Sequence, residues 1–367
     1  MMSLLEKNRP LRWLGKQLFN REDPAAFFDP LLAQVDPMLV RQYVPAKVIE
    51  ITDETADTRT FILKPAARWA GFSAGQHVNT CIEIDGTRYN RTFSLSCSPA
   101  QWKLHGTVSL TIKRLPGGKV TNWMHDNLQP GAVLGLGEAF GEFQLPANPE
   151  PLLYIAGGSG ITPILSQLET LASEDWRAPV TLLYFVRTQA DVIAAERLYA
   201  IQKRWPAFNL QVLATEEGET PQYLNDQHLE QVPGVNARRC YLCGPKGLMD
   251  LATDLLHKRG IADERIHCTF FAAATAALAT DDLGGVVQFA RSDLSVSSEG
   301  DAALLDIAEA AKLSPQYGCR MGICHQCSCR KTSGTVVNRV TGKVSGPGEE
   351  SIQLCVSIPQ GPVTLDL

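Results

Sequence analysis

Five of the ten cysteines fall within the last fifty residues: Cys319, Cys324, Cys327, Cys329 and Cys355. Four of them follow the spacing Cys319-x4-Cys324-x2-Cys327, with Cys355 after 27 intervening residues. This is the ligand spacing of a plant-type [2Fe-2S] cluster. Two tetrahedral irons bridged by sulfide need two thiolates each. Three ligands on one tight loop let the backbone wrap the cluster, so that its amides can hydrogen-bond the sulfurs. Gly318 and Gly322 suit such a loop, because a chain curling round a cluster visits positive φ. The competing explanations are a zinc site, which would show paired short spacings, and inert buried thiols. Cys329 falls outside the spacing and is read as a non-ligand. His325, between two ligands, is read as a solvent-facing loop residue, with a ligating or cluster-tuning role as the alternative.

A second group of residues suits nucleotide binding. Ala156-Gly157-Gly158-Ser159-Gly160-Ile161-Thr162-Pro163 follows an apolar run and opens a helical stretch. Glycines there would let a pyrophosphate approach the backbone, and the helix N-terminus would stabilise its charge. The stretch lacks the G-x-G-x-x-G fingerprint, and a tight strand-to-helix turn without a ligand would also explain it. Tyr241-Leu242-Cys243-Gly244-Pro245 ends a later strand of the same sheet. Both motifs lie at the carboxyl ends of strands, where doubly wound sheets bind ligands. Upstream, Arg91-Thr92-Phe93-Ser94 offers a guanidinium, an aromatic ring and a hydroxyl on one strand end. Gly117-Gly118-Lys119-Val120-Thr121-Asn122-Trp123 adds a glycine turn at a helix start, a further anion site. Taken singly, Arg91 could be a surface ion pair and Phe93 plain core.

These residues must be positioned by three kinds of element. Residues 43–146 are rich in short strands: Val44–Ile51, Thr58–Leu63, His77–Ile84, Tyr89–Ser96 and Thr107–Lys113, with one helix near Val120–Asn127. That density predicts a small antiparallel barrel. Residues 147–271 alternate strand and helix, with strands at Leu152–Ala156, Val180–Val186, Leu210–Ala214, Cys240–Leu242 and Ile266–Cys268. Helices are expected over Pro163–Ala172 and Asp191–Gln202. The pattern predicts a doubly wound parallel α/β sheet. Residues 272–282, rich in Ala and Thr, read as a linker. Residues 283–367 hold a hairpin (Gly285–Val296), a short helix (Ala302–Ala311), the cysteine loop and a closing strand pair. Residues 1–42 form an arm with Leu4, Leu11, Leu14 and Leu18 at near-helical spacing among basic residues. Such a piece lies on the chain's own domains, on a membrane surface or on a partner.

Composition agrees with a multidomain globular chain. The 367 residues exceed the roughly 100–200 expected of one domain. Hydrophobic residues are 44% and charged residues 20%, which excludes wholesale disorder, collagen and coiled coil. A net charge of −5 argues against a nucleic-acid binder. No apolar run reaches the ~18 residues of a membrane span, and no secretory signal is expected at the N-terminus. A cytoplasmic protein is therefore expected, peripheral at the inner membrane face if the arm binds lipid. Ten cysteines in such a setting point to metal or redox chemistry.

Together, R-x-[FY]-S on a barrel, the glycine turn with [ST]-N-W, G-G-[ST]-G-I-[TA]-P and C-G-P resemble the ferredoxin–NADP reductase superfamily, over residues 43–367. The C-terminal spacing resembles a plant-type ferredoxin, which implies a β-grasp α+β domain. The order flavin, nicotinamide, ferredoxin is similar to phthalate dioxygenase reductase and its relatives. The arm, through Phe27-Phe28-Asp29-Pro30-Leu31-Leu32, resembles bacterial reductases that serve membrane acyl-CoA desaturases. The resemblance implies that Arg91 binds a flavin phosphate, that Phe93 flanks the ring, that Ser94 bonds near its N5 and that Thr92 belongs to the same cofactor-binding set. Gly118, Lys119, Val120 and Thr121 would hold the remaining phosphate. Gly157, Gly158, Gly160, Thr162, Gly244 and Pro245 would hold the nicotinamide dinucleotide. Cys243 would lie beside the hydride-donating carbon, and Phe271 would be the closing aromatic. The likeness of Lys113–His125 implies FAD rather than FMN. Phe93 replaces a frequent Tyr, and Thr269 stands where an acid is frequent.

The implied chemistry is a two-to-one electron converter. A nicotinamide delivers a hydride, a [2Fe-2S] cluster accepts single electrons, and a flavin does both. Plant-type clusters sit near about −400 mV, low enough to reduce oxygen-activating iron centres. The expected partner is a separate terminal oxidase, foremost a fatty acyl desaturase. The alternatives are a ring-hydroxylating or other monooxygenase and a hybrid-cluster protein. A redox sensor or carrier without turnover is the reading from another class. Val186-Arg187-Thr188 follows the second parallel strand, where the adenosine ribose rests. Arg187 accommodates a 2′-phosphate, so NADPH is expected, with NADH as the alternative.

Overall fold

The computed structural model describes residues 29–41, 43–174, 176–217, 221–269, 283–300, 302–318, 320, 322, 325–340 and 342–367. The predicted linker 272–282, Phe271, Cys319, Cys324 and the first 28 residues of the arm lie outside them. Of the arm, a helix spans Asp29–Val35 (α1), with Leu31 and Val35 exposed at 61% and 81%. Arg68 holds the arm's end by donating to the carbonyls of Val40 and Tyr43.

Six antiparallel strands follow: β1 Val44–Thr55, β2 Thr58–Pro65, β3 His77–Ile84, β4 Thr87–Ser94, β5 Val108–Lys113 and β6 Val133–Phe140, in the order β4-β3-β6-β1-β2-β5. A bridge between Leu95 and Leu110 joins the two edges and closes the barrel. Alternation does the rest. Phe61, Leu63, Val108, Leu110 and Ile112 are buried inside. On the other face of β5, Ser109 and Thr111 are buried too. Two helices accompany the barrel, α2 Pro99–His105 and α3 Lys119–Asn127.

The second sheet is parallel throughout: β7 Leu152–Gly157, β8 Val180–Val186, β9 Phe208–Ala214, β10 Arg239–Cys243 and β11 Ile266–Thr269, in the order β11-β10-β7-β8-β9. Every residue of β7 and β8 is buried, because helices cover both faces. Leu152, Tyr154, Leu182 and Tyr184 pack with Ile164 and Leu168 of α4 Ile161–Ser173 and Leu198 of α5 Ala195–Arg204. Leu153, Ile155 and Leu183 pack with Leu229 of α6 Asp226–Glu230 and Met249 of α7 Lys246–Lys258. The helix expected from Asp191 begins only at Ala195, because Gln189–Asp191 forms a separate 3-10 turn capped by Thr188.

Barrel and α/β unit are joined by directed bonds. Arg197 pairs with Glu169 and donates to the Ser96 carbonyl at 2.6 Å. Ser166 Oγ donates to the Cys97 carbonyl at 2.6 Å, and Gln167 to the Phe143 carbonyl at 2.8 Å. Ala194 N–H donates to Glu54 at 3.0 Å. The cleft between the two units therefore has walls fixed to each other.

The last sheet holds β12 Gly285–Phe289, β13 Leu294–Ser298, β14 Ser328–Asn338, β15 Glu350–Gln353 and β16 Ser357–Leu365, in the order β13-β12-β16-β14-β15, with β12 and β16 parallel. Helix α8 Leu304–Ala310 packs Leu304, Leu305 and Ala308 onto it. This mixed sheet grasping one helix is the expected β-grasp arrangement. No described helix is long and apolar enough to cross a membrane.

Candidate functional site

The first cleft, of about 540 Å³, lies between the end of β4, β5, the start of α3 and the start of α4. Arg91, Thr92, Phe93 and Ser94 form one wall, and Gly118, Lys119, Val120 and Thr121 another. Ser159 and Thr162 reach it from the α/β unit. The structure thus brings the two barrel motifs together. Thr92 is locked by its hydroxyl on Asn79 at 2.6 Å, and Lys119 bonds Tyr89 Oη at 2.6 Å. Thr121 Oγ1 accepts from Leu115 N–H at 3.4 Å, which ties the glycine turn to the helix start. Gly117 takes φ +71° there with open space on its Cβ side.

Arg91 is half-buried and donates to the Asn90 carbonyl at 2.7 Å. Among the described residues no carboxylate pairs with it. Burial, then the Arg320 guanidinium, press it below its ordinary value. A desolvated guanidinium without a counter-anion fits a phosphate. That fit, the aromatic Phe93 and the cleft's size suit a flavin.

The second cleft, of about 510 Å³, continues from the first through Lys113, which lines both. Gly157, Gly158, Arg187, Asp191 and Pro245 line it, with Phe185, Tyr223 and Leu248. The glycines divide their work. A Cβ on Gly160 would meet the Cys243 carbonyl oxygen at 2.0 Å, and one on Gly157 would meet Pro245 at 2.7 Å. Gly244 faces Gly157 N at 2.9 Å in the same way. These three let the two motifs pack backbone against backbone. Gly158 alone has φ +52° and open space, and Tyr184 Oη fixes its carbonyl at 3.0 Å. It is the place where a pyrophosphate can approach the chain. Thr162 turns its hydroxyl to the Ser159 carbonyl at 3.1 Å.

Cys243 is fully buried at the end of β10, between Ala156 and Thr269, and lines neither cleft. Burial, then the nearby Cys268, hold its thiol well above the usual value, so it is a neutral thiol. Ser94, also buried, does line the first cleft.

Arg187 has partners that sequence reasoning missed. It bonds Asp191 at 3.0 Å and lies 3.6 Å from Asp57, a barrel residue. Asp57 also pairs with Lys113 at 3.1 Å. Burial acts to raise Asp57, and its bonds to Lys113, Thr58 and Thr55 outweigh that and leave it below the ordinary carboxylate value. No motif marks these residues, because they meet only when β1–β2 folds against β8.

In the last domain, Cys327 and Cys355 are both buried with their sulfurs 3.2 Å apart. Arg320 (φ +57°), Gly322 (+75°) and His325 (+54°) all take left-handed backbone, so Gly322 meets the expectation of positive φ and two residues with side chains share it. Arg320 stacks on Tyr317 at 4.1 Å and bonds Asp306 and Glu309 of α8. Gln353 donates to the Gly322 carbonyl at 2.8 Å and meets His325 Nδ1 at 3.0 Å. Two converging buried thiols, Cys327 after the cysteine loop and Cys355 in the turn Leu354–Val356 between β15 and β16, suit a cluster. Cys329 lies on β14, bonded to backbone carbonyls.

A third cleft, of about 520 Å³, is shared by all three domains: His77 and Phe140 of the barrel, Cys268 and Thr269 of the α/β sheet, and Gly322 and His325 of the cysteine loop.

Comparison with known proteins agrees domain by domain. Residues 45–145 match the oxidoreductase FAD-binding domain family, 154–254 the oxidoreductase NAD-binding domain family and 288–360 the 2Fe-2S iron-sulfur cluster binding domain family. An NADPH oxidoreductase of Mycobacterium tuberculosis is 33% identical over 345 residues, covering 92% of this chain and 88% of that protein. The glycine betaine monooxygenase reductase subunit of Pseudomonas aeruginosa is 28% identical over 349 residues, covering 87% and 94%. The structure of phthalate dioxygenase reductase superposes with a TM-score of 0.64 at 23% identity, over 89% of this chain and 98% of that one.

Proposed function

This chain belongs to the ferredoxin–NADP reductase superfamily, with a C-terminal [2Fe-2S] domain, and on that footing we propose that it is the reductase component of an oxygenase system. It is an NAD(P)H-dependent oxidoreductase that uses FAD and a [2Fe-2S] cluster. When bound, these groups supply a two-electron donor, a carrier that passes electrons on singly and a one-electron acceptor.

In this reading the domains are 43–146 for flavin, 147–271 for nicotinamide and 283–367 for the cluster. Arg91 neutralises a flavin phosphate, Phe93 flanks the ring, Ser94 bonds its edge, and Thr92 lies in the same wall. Gly118 to Thr121 hold the second phosphate. Gly158 admits the nicotinamide pyrophosphate, while Gly157, Gly160, Thr162, Gly244 and Pro245 shape the wall behind it. Cys243 packs behind the nicotinamide as a neutral thiol. Cys319, Cys324, Cys327 and Cys355 bind the irons. The coenzyme is NADPH, held at its 2′-phosphate by Arg187, in keeping with the name of the mycobacterial relative.

The observation that carries the proposal is the shared cleft, where barrel, α/β sheet and cysteine loop meet. A chain so arranged needs only an external acceptor. The relatives' names point to a monooxygenase component. A second reading, the reductase of a membrane acyl-CoA desaturase, is supported by the Phe27–Leu32 likeness and by exposed Leu31 and Val35 on α1, which would set a cytoplasmic protein on the membrane face. Purified protein with NADPH should drive product formation by a terminal monooxygenase. Turnover of a vesicle-embedded desaturase alone would favour the second reading, and turnover of neither would overturn both.

A further inference from the structure

Four charged side chains from two domains run in series: Lys113, Arg187 and Asp191 line the nicotinamide cleft, and Asp57 links Lys113 to Arg187 behind it. Lys113 Nζ lies 3.1 Å from Asp57 Oδ2, and that oxygen lies 3.6 Å from Arg187 Nη2. Arg187 Nη2 in turn donates to Asp191 Oδ1 at 3.0 Å. Asp191 is committed to its own turn, since its other oxygen accepts from Thr188 N–H at 3.1 Å and Thr188 Oγ1 at 3.0 Å. Asp57 is held in place by Thr55 and Thr58, whose hydroxyls both donate to its Oδ1 at 3.0 Å.

The series sums to zero charge. A 2′-phosphate would bring up to two negative charges to a guanidinium already flanked by two carboxylates. An adenosine ribose with a free 2′-hydroxyl would bring none. The turn needs Asp191, whereas nothing in the fold of the α/β unit needs the Asp57 charge beside Arg187. We propose that Asp57 of the flavin barrel is a specificity-determining residue for the coenzyme, supplying the negative charge that weakens the Arg187 grip on a 2′-phosphate. This rests on the reading that Arg187 faces the adenosine ribose. The consequence is a barrel residue that moderates a preference otherwise set within the nucleotide domain.

Calorimetry of the full-length, flavin-loaded protein tests it with two probes differing by one phosphate, 2′,5′-ADP and 5′-AMP. Asp57→Asn keeps the acceptor for the two threonines and removes the charge. It should tighten 2′,5′-ADP by about three- to five-fold, the scale of a part-exposed ion pair, and leave 5′-AMP unchanged. Asp57→Ser should do the same and guards against a fold defect in either variant. Asp57→Glu should restore wild-type affinities. The gain should vanish in an Arg187→Ala background. Equal tightening of both probes would place the effect at Lys113 and overturn the proposal. So would no tightening while Arg187→Ala still weakens 2′,5′-ADP, which leaves the Arg187 reading intact. If Arg187→Ala alters neither probe, the Arg187 reading falls and the proposal with it.

Discussion

Gly160 abuts Cys243 so closely that a single methyl group on the glycine would meet the cysteine's carbonyl oxygen at 2.0 Å. The start of α4 and the end of β10 are thereby one unit. The Gly157–Thr162 and Cys243–Pro245 segments pack against each other through this contact.

Gly160→Ala should therefore cost stability. Gly160 has ordinary helical φ and ψ, so the penalty is steric, and overpacking of this kind costs about 1–3 kcal/mol. Thermal unfolding should show a lower Tm, with weaker coenzyme binding as α4 shifts. An unchanged Tm would mean that α4 moves aside freely.

Cys243→Ala should slow flavin reduction by NADPH in stopped flow by about 10- to 100-fold, the range expected when reacting atoms lose their alignment. Because burial holds the thiol neutral, the pH profile between about 6 and 9 should keep its shape. Loss of a titration step there would show that Cys243 acts as thiolate.

Much of this was readable in the chain. Val180–Val186 is a strand at its predicted bounds, because seven consecutive apolar or β-branched residues can only be buried on both faces. The cysteine spacing gave the cluster domain its identity in advance. Strand β6 was missed because Gly135 and Gly137 dilute its pattern, although Gly135 is required, since a Cβ there would strike the Tyr43 ring at 2.6 Å. Helix α2 was missed because its seven residues carry no apolar period. The Asp57 contacts were missed for another reason: they join Lys113 to Arg187, a neighbour far along the chain. Such a contact leaves no local signal.

His77 gives a pH prediction. It is buried against Phe140, its Nε2 is unbonded, and burial lowers it from 6.5 to about 4. The unfolded chain therefore binds a proton that the folded chain refuses. Stability is fully present above about pH 6.5 and is lost as pH falls through about 4, by about 3 kcal/mol for the whole window. Urea unfolding of His77→Phe should show a flatter slope between those pH values than wild type. Parallel slopes would mean that another group governs the acid limb.

Electrons entering from the coenzyme should reach the cluster through the flavin within this one chain. Anaerobic addition of NADPH to the purified protein, followed by optical and EPR spectroscopy, tests it directly. Flavin bleaching should appear together with the EPR signal of a reduced [2Fe-2S] cluster. In Cys327→Ser the flavin should still bleach while the iron content and the signal are lost. Flavin reduction in wild type with a cluster that stays oxidised, or an unaltered signal in Cys327→Ser, would contradict it.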